Sequence, residues 1–214
     1  MAARSAAQAG DIAPTEPVTS AARQRILDVA DRLFYSDGIH AVGIQRIIEE
    51  AGVTRVTLYR HFPSKDELIS AYLDGRAQYD RDQVNALIHA HIDNPRQALT
   101  ELATVLTDDN FAAMQRGCPF INTCAEFTTT HITRTQAREH RAWVTTALEG
   151  LLTAIGHPRP TSAAHQLMML RTGAVVSGAL DDNRHLNEDF LTCWNQVIDL
   201  QREPPRRSGH RNRV

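Results

Sequence analysis

Apolar residues recur at three- and four-residue spacing along most of this chain, and strict alternation is scarce. That period belongs to helices, so the pattern predicts an all-α protein. Ile26, Val29, Ala30, Leu33 and Phe34 form a first stripe that begins after Thr19 or Ser20 and stops at Gly38. Ile44, Ile47, Ile48 and Ala51 form a second, short stripe, and Gly52 offers the positive φ that ends a helix at little cost. Val53 follows as a pivot, and Thr54 is placed to cap a third helix on which Leu58 and Phe62 share one side. Ser64-Lys65-Asp66-Glu67 is a capping box, with Pro63 before it and Leu68 after it.

The helix opened by Ser64 keeps its apolar positions to about His91, and Asp93-Asn94-Pro95 reads as a stop followed by a new start. Leu99, Leu102 and Leu106 mark the next helix, and Gly117-Cys118-Pro119 is a second break before a short helix over Phe120–Phe127. Two long helices are expected near 132–156 and 161–181, separated by Gly156-His157-Pro158-Arg159-Pro160, and a last one near 187–201. Small residues on the second long helix, Gly173 with Ser177 and Ala174 with Gly178, would let another helix approach closely.

Charge changes this picture only locally. The chain is formally −2, yet Thr54 to Lys65 holds Arg55, Arg60 and Lys65 and no acid, for a local charge of +3. Phosphate binding needs one positive face rather than a basic protein. Two short helices, a glycine turn and a cationic, hydroxyl-rich second helix are the form of a helix-turn-helix that enters the DNA major groove. An ordinary helical hairpin with solvated arginines would share the turn and the spacing.

The ordered run AGVTRVTLYRHFPSKDEL resembles the TetR family of bacterial transcriptional regulators, with the likeness spanning roughly residues 20 to 70. The phrase GCPFINTCAEF also resembles a segment of one broad group in that family. The resemblance implies a three-helix DNA-binding domain followed by a helical ligand-binding and dimerisation domain. The division expected is a flexible arm over 1–19, DNA-binding over 20–67, effector binding and dimerisation over 68–201, and a basic disordered tail over 202–214. It also implies that Thr54, Arg55 and Thr57 open the recognition helix, that Tyr59 and His61 touch phosphate, and that Lys65 binds phosphate at the start of the fourth helix. Gln45, Arg46 and Arg60 complete the candidate DNA contacts. Gly43 and Val56 depart from the family pattern, which often has Thr and a small residue there. In such proteins the long helices, here 132–156 and 161–181, pair with their copies in a dimer.

A small-molecule effector is implied by the same resemblance. Phe111, Met114, Phe120, Phe127, Trp143, Met168 and Met169 are its candidate apolar contacts, with Asn122, Thr123, His165 and Arg171 as polar ones. An apolar ligand of drug-like size is expected, since no basic run is evident to hold a polyanion. The expected function is a DNA-binding repressor released from operator DNA by that ligand. The alternatives are a helical-bundle enzyme, or a DNA-binding regulator without a ligand.

Composition bears on the rest. Apolar content of 42% and charged content of 22% are those of a soluble globular chain. No run is apolar enough to span a membrane, and the first residues lack an apolar signal core, so a cytoplasmic location is expected. Cys118, Cys124 and Cys193 are read as reduced thiols, and the ten histidines show no metal-ligand spacing. No catalytic motif is present, neither G-x-S-x-G nor H-E-x-x-H nor a phosphate-cradling glycine loop. Neither a cofactor nor a metal is therefore expected.

Overall fold

The computed structural model describes residues 20–107 and 116–199, and among these it contains nine helices and no strand. They are α1 (Ala21–Asp37), α2 (Ile44–Ala51), α3 (Arg55–His61), α4 (Lys65–Ala90), α5 (Pro95–Val105), α6 (Pro119–Glu126), α7 (Ile132–Ala154), α8 (Pro160–Leu180) and α9 (Leu186–Ile198). The expected N-terminal arm, the basic tail, Phe111 and Met114 lie outside the described residues.

Local chemistry sets most boundaries. Thr54 accepts from the Thr57 N–H, Ser64 from the Glu67 N–H, Asn94 from the Gln97 N–H, and His131 from the Thr133 N–H, so four helices start on side-chain caps. Pro95, Pro119 and Pro160 each occupy a first helical position. Gly52 adopts φ 61 and ψ 40, and its N–H closes the last turn of α2 on Glu49 and Ile48.

Helices α1, α2 and α3 pack together around Ile26, Leu33, Ile47 and Leu58, all fully buried. α4 joins this group to the rest, because it packs on α1 at one end and on α5 and α7 further along. Its backbone runs unbroken through position 67, so the boundary expected there falls inside a helix shared by both parts. One apolar core continues from Ile26 to Ile198. Its far end is fixed by Trp194, fully buried on α9, whose indole N–H donates to the Leu99 carbonyl at 2.9 Å.

The two long helices differ in surroundings. α7 packs against α4, α5, α6 and α8 within one subunit. α8 is apolar on both sides: Ala164, Leu167, Met168 and Val175 face inward, while Met169, Val176 and Leu180 are exposed. An open groove of about 730 Å³ lies between α8 and α9, lined by Met169, Leu170, Gly173, Phe190 and Val197. The open apolar groove is therefore shared by α8 and α9.

Candidate nucleic-acid interface

The turn at Gly52 sets α3 outward from the three-helix group. Only Leu58 of α3 is buried, and Phe62 just beyond it is also inside. Arg55, Val56, Tyr59 and Arg60 are exposed, Val56 to 78%. The Thr54 and Thr57 hydroxyls lie 2.9 Å apart, since both sit at the cap. Arg55 donates to the Gln45 amide oxygen at 3.2 Å, and the Gln45 amide donates to Glu49 at 2.8 Å. Gln45, Thr54, Arg55 and Thr57 thus converge across the turn between α2 and α3. Arg60 has no polar partner among the described residues, so its guanidinium is available to an anion.

Other expected DNA contacts are held by the protein itself. Arg46 is clamped between Asp37, at 2.5 Å, and Glu50, at 2.8 Å. A hydrogen bond from Ser36 and then one from Arg46 hold the Asp37 carboxyl below its ordinary range, and Arg32 and Arg46 do the same for Glu50. In the DNA-free chain the charge of Arg46 is therefore answered within the protein. His61 is half-buried, with Nε2 3.4 Å from the Ser20 hydroxyl, and Arg23 stacks over the Phe62 ring at 5.1 Å.

Lys65 is also drawn inward. Its ammonium donates to the Ile39 carbonyl at 2.6 Å and the Val42 carbonyl at 2.7 Å, and lies 5.9 Å from the centre of the Phe34 ring. Burial pulls its pKa below the ordinary lysine value, against the opposing pull of the Glu126 carboxylate. Lys65 therefore seals the loop between α1 and α2 in addition to standing at the start of α4. Gly43 caps α2 without a side-chain bond, so the phosphate-facing hydroxyl usual in the family is missing at that helix start.

The described residues among the expected effector contacts have separate surroundings in the ligand-free chain. Phe120 is buried and stacks on His140, with ring centroids 4.2 Å apart. Asn122 donates to the Arg116 carbonyl at 2.6 Å, and the buried Thr123 hydroxyl donates to the Pro119 carbonyl at 2.8 Å. Phe127 stacks on His131, and Trp143 lies under Arg81. Arg171 is only 5% exposed and donates to the Leu106 carbonyl at 2.8 Å, satisfying the end of α5. His165 and Met169 are exposed while their neighbour Met168 is buried, because successive helical residues turn through about 100°. His165 and Met169 thus face away from the core, and Arg171 closes a helix end.

Two features escaped the sequence reading. Glu126 accepts from the N–H groups of Ile39 and His40 at 2.9 and 2.7 Å, tying α6 to the loop beneath the turn. Arg134, Arg138 and Arg141 line a cleft beside α6. Their i, i+4, i+7 spacing was the available signal. Cys118 is buried and Cys124 half-buried, and burial raises the Cys124 thiol pKa above its ordinary value. No metal-ligating cluster and no helix long and apolar enough to cross a membrane occur among the described residues.

Comparison with known proteins bears on this arrangement. The family model for bacterial regulatory proteins of the tetR family matches residues 26–72. SCO4454, a TetR-family transcriptional regulator from Streptomyces coelicolor, is 39% identical and superposes with a TM-score of 0.77 over 83% of this chain and 94% of that one. The uncharacterized HTH-type transcriptional regulator Rv1255c of Mycobacterium tuberculosis is 27% identical over 198 residues, 90% of this chain and 93% of its own. A transcriptional regulator from Saccharomonospora viridis, solved in complex with choline, shares the fold at 21% identity, with a TM-score of 0.71 over 84% of this chain and 96% of that one.

Proposed function

This chain belongs to the TetR family of bacterial transcriptional regulators, it is a DNA-binding regulator and not an enzyme, and from that premise we propose that it is a dimeric repressor released from its operator by a small molecule. The observation that carries the reading is the exposed α3, whose Arg55, Val56, Tyr59 and Arg60 side chains stand clear of the core. A major groove admits one such helix, and a two-fold dimer presents two, so the operator is a pseudo-palindrome with half-sites one helical turn or a multiple apart.

The open groove between α8 and α9 supports the dimer. An apolar helix face left uncovered by its own subunit is stabilised by burial against another. The symmetric occupant of such a groove is the same groove of a second copy. Release requires an effector that binds the operator-incompetent state more tightly, and reciprocity then has operator DNA weaken effector binding by the same factor. The choline held by the S. viridis regulator supports a small molecule as effector without naming this one.

The test is selection of duplexes from a random pool by the full chain, followed by footprinting and sedimentation of the complex. The expected result is a two-fold symmetric footprint with two chains per duplex. A pool that yields no sequence-selective complex overturns the reading.

A further inference from the structure

Arg134, Arg138 and Arg141 lie on one face of α7 and, with Phe120, Ile121 and Cys124 of α6, line a cleft of about 470 Å³. None of the three arginines forms an ion pair with a carboxylate among the described residues. Their hydrogen bonding is also incomplete. One Arg134 nitrogen donates to the Cys124 carbonyl at 3.0 Å, yet its Nε is buried without a partner. Arg141 donates to the Thr172 hydroxyl at 3.1 Å. A guanidinium carries five N–H donors, so most of those in the cleft have no protein partner among the described residues.

The local thiol does not answer this charge. Burial raises the Cys124 pKa and keeps the group neutral. The remaining wall is apolar, formed by Phe120, Ile121, Ala125 and Ala137. A cationic rim over an apolar floor suits a molecule with one anionic head and an apolar body. A bare or multiply charged anion would leave the floor facing charge. The cleft volume falls in the range of small-molecule sites, roughly 300–1,000 Å³.

We propose that this cleft binds a small organic carboxylate, its head held by the arginines and its apolar body laid against α6. The planar guanidinium fork matches a carboxylate with two parallel hydrogen bonds. This adds an anionic head to the apolar effector expected from the sequence. The proposal rests on the reading of ligand-released repression, because the occupied wall is the helix whose last residue, Glu126, holds Ile39 and His40 beneath the DNA-reading turn. A ligand that shifts α6 acts on that loop directly.

The test is calorimetric titration of the full chain with benzoate and decanoate, their neutral amides, and inorganic phosphate. One carboxylate is expected to bind once per chain, at least about tenfold more tightly than its amide, since the charge-assisted bonds are lost in the amide. Arg138→Ala with Arg141→Ala should weaken the carboxylate by about tenfold or more and leave the amide unchanged. Arg134 is kept, because it holds the end of α6. Equal affinity for acid and amide, phosphate binding as tightly as the carboxylates, no binding of either carboxylate at millimolar concentration, or an unaffected double variant each overturn the proposal. A double variant that sediments as a monomer reassigns the arginines to a subunit contact and overturns it too. Carboxylate binding that leaves operator affinity unchanged supports the site and overturns the release mechanism instead.

Discussion

Glu126 and His40 hold each other at two points. The Glu126 carboxylate accepts from the His40 N–H at 2.7 Å, and the His40 ring Nε2 lies 2.7 Å from the Glu126 carbonyl oxygen. Glu126 closes α6, and His40 belongs to the loop between α1 and α2. The contact therefore joins the helical C-terminal part to the base of the helix-turn-helix.

Glu126→Gln replaces one acceptor oxygen by an amide that cannot accept. The loop amides of Ile39 and His40 should exchange hydrogen faster, and stability should fall by about 1 kcal/mol. Exchange mass spectrometry with a urea titration measures both. Unchanged protection at positions 39 and 40 would show that Glu126 does not restrain the loop.

Lys65→Met tests the inward role of this lysine without DNA. Loss of the ammonium leaves the Ile39 and Val42 carbonyls without this donor, at a cost of about 1–3 kcal/mol. A lysine that acted on phosphate alone would weaken the operator complex and leave the unfolding midpoint where it was.

Arg60→Ala should weaken binding to all duplexes alike and reduce the salt dependence by about one unit of slope. Arg55 is oriented by Gln45 across the turn, so Arg55→Ala should instead relax preference at one base pair, by about 1–3 kcal/mol. Salt-dependent titrations on matched and mismatched duplexes separate the two. Val56→Ala should reduce preference for a thymine, because an exposed branched apolar group suits the thymine methyl.

Gly173→Leu addresses the groove. A Cβ at Gly173 meets nothing within 4 Å in the subunit, so the first side-chain atom of the substitution is accommodated there. In a dimer built on this groove the added side chain obstructs the partner. Sedimentation equilibrium should show a rise in monomer with an unchanged helical spectrum. A wild-type monomer at micromolar concentration would remove the basis for the dimer.

Acid should loosen the helix-turn-helix through Asp37 and Glu50. Both carboxyls titrate below their ordinary values of 3.8 and 4.5 in the fold. Their contribution is therefore fully present above those values and is lost as pH falls through the lower folded ones. Arg46→Met, which removes a partner from both, should flatten the fall of the urea midpoint below about pH 4.5. The same slope in variant and wild type would show that the clamp does not contribute.

Helix starts and stops were legible residue by residue, because capping and periodicity act within one or two turns. Thr54 and Ser64 cap the helices that their sequence positions announce, and Gly52 takes the left-handed turn expected of it. The reading helix was legible for the same reason, as Val56 and Arg60 sit opposite Leu58 by spacing alone. Side-chain partners across the chain were not. Lys65 meets Ile39 and Val42, Arg171 meets Leu106, and Glu126 meets His40 at a separation of 86 residues. Nothing local encodes those pairings, which arise when α4, α5 and α6 settle on a common core. Residue type alone also did not separate Met169 from Met168, although one helical step puts Met168 in the core and Met169 in the α8–α9 groove. The Arg134, Arg138 and Arg141 stripe was present in the spacing, but a charged stripe is ordinarily a solvated surface. Only the packing of α6 against α7 set those arginines around a cleft with no carboxylate paired to them among the described residues.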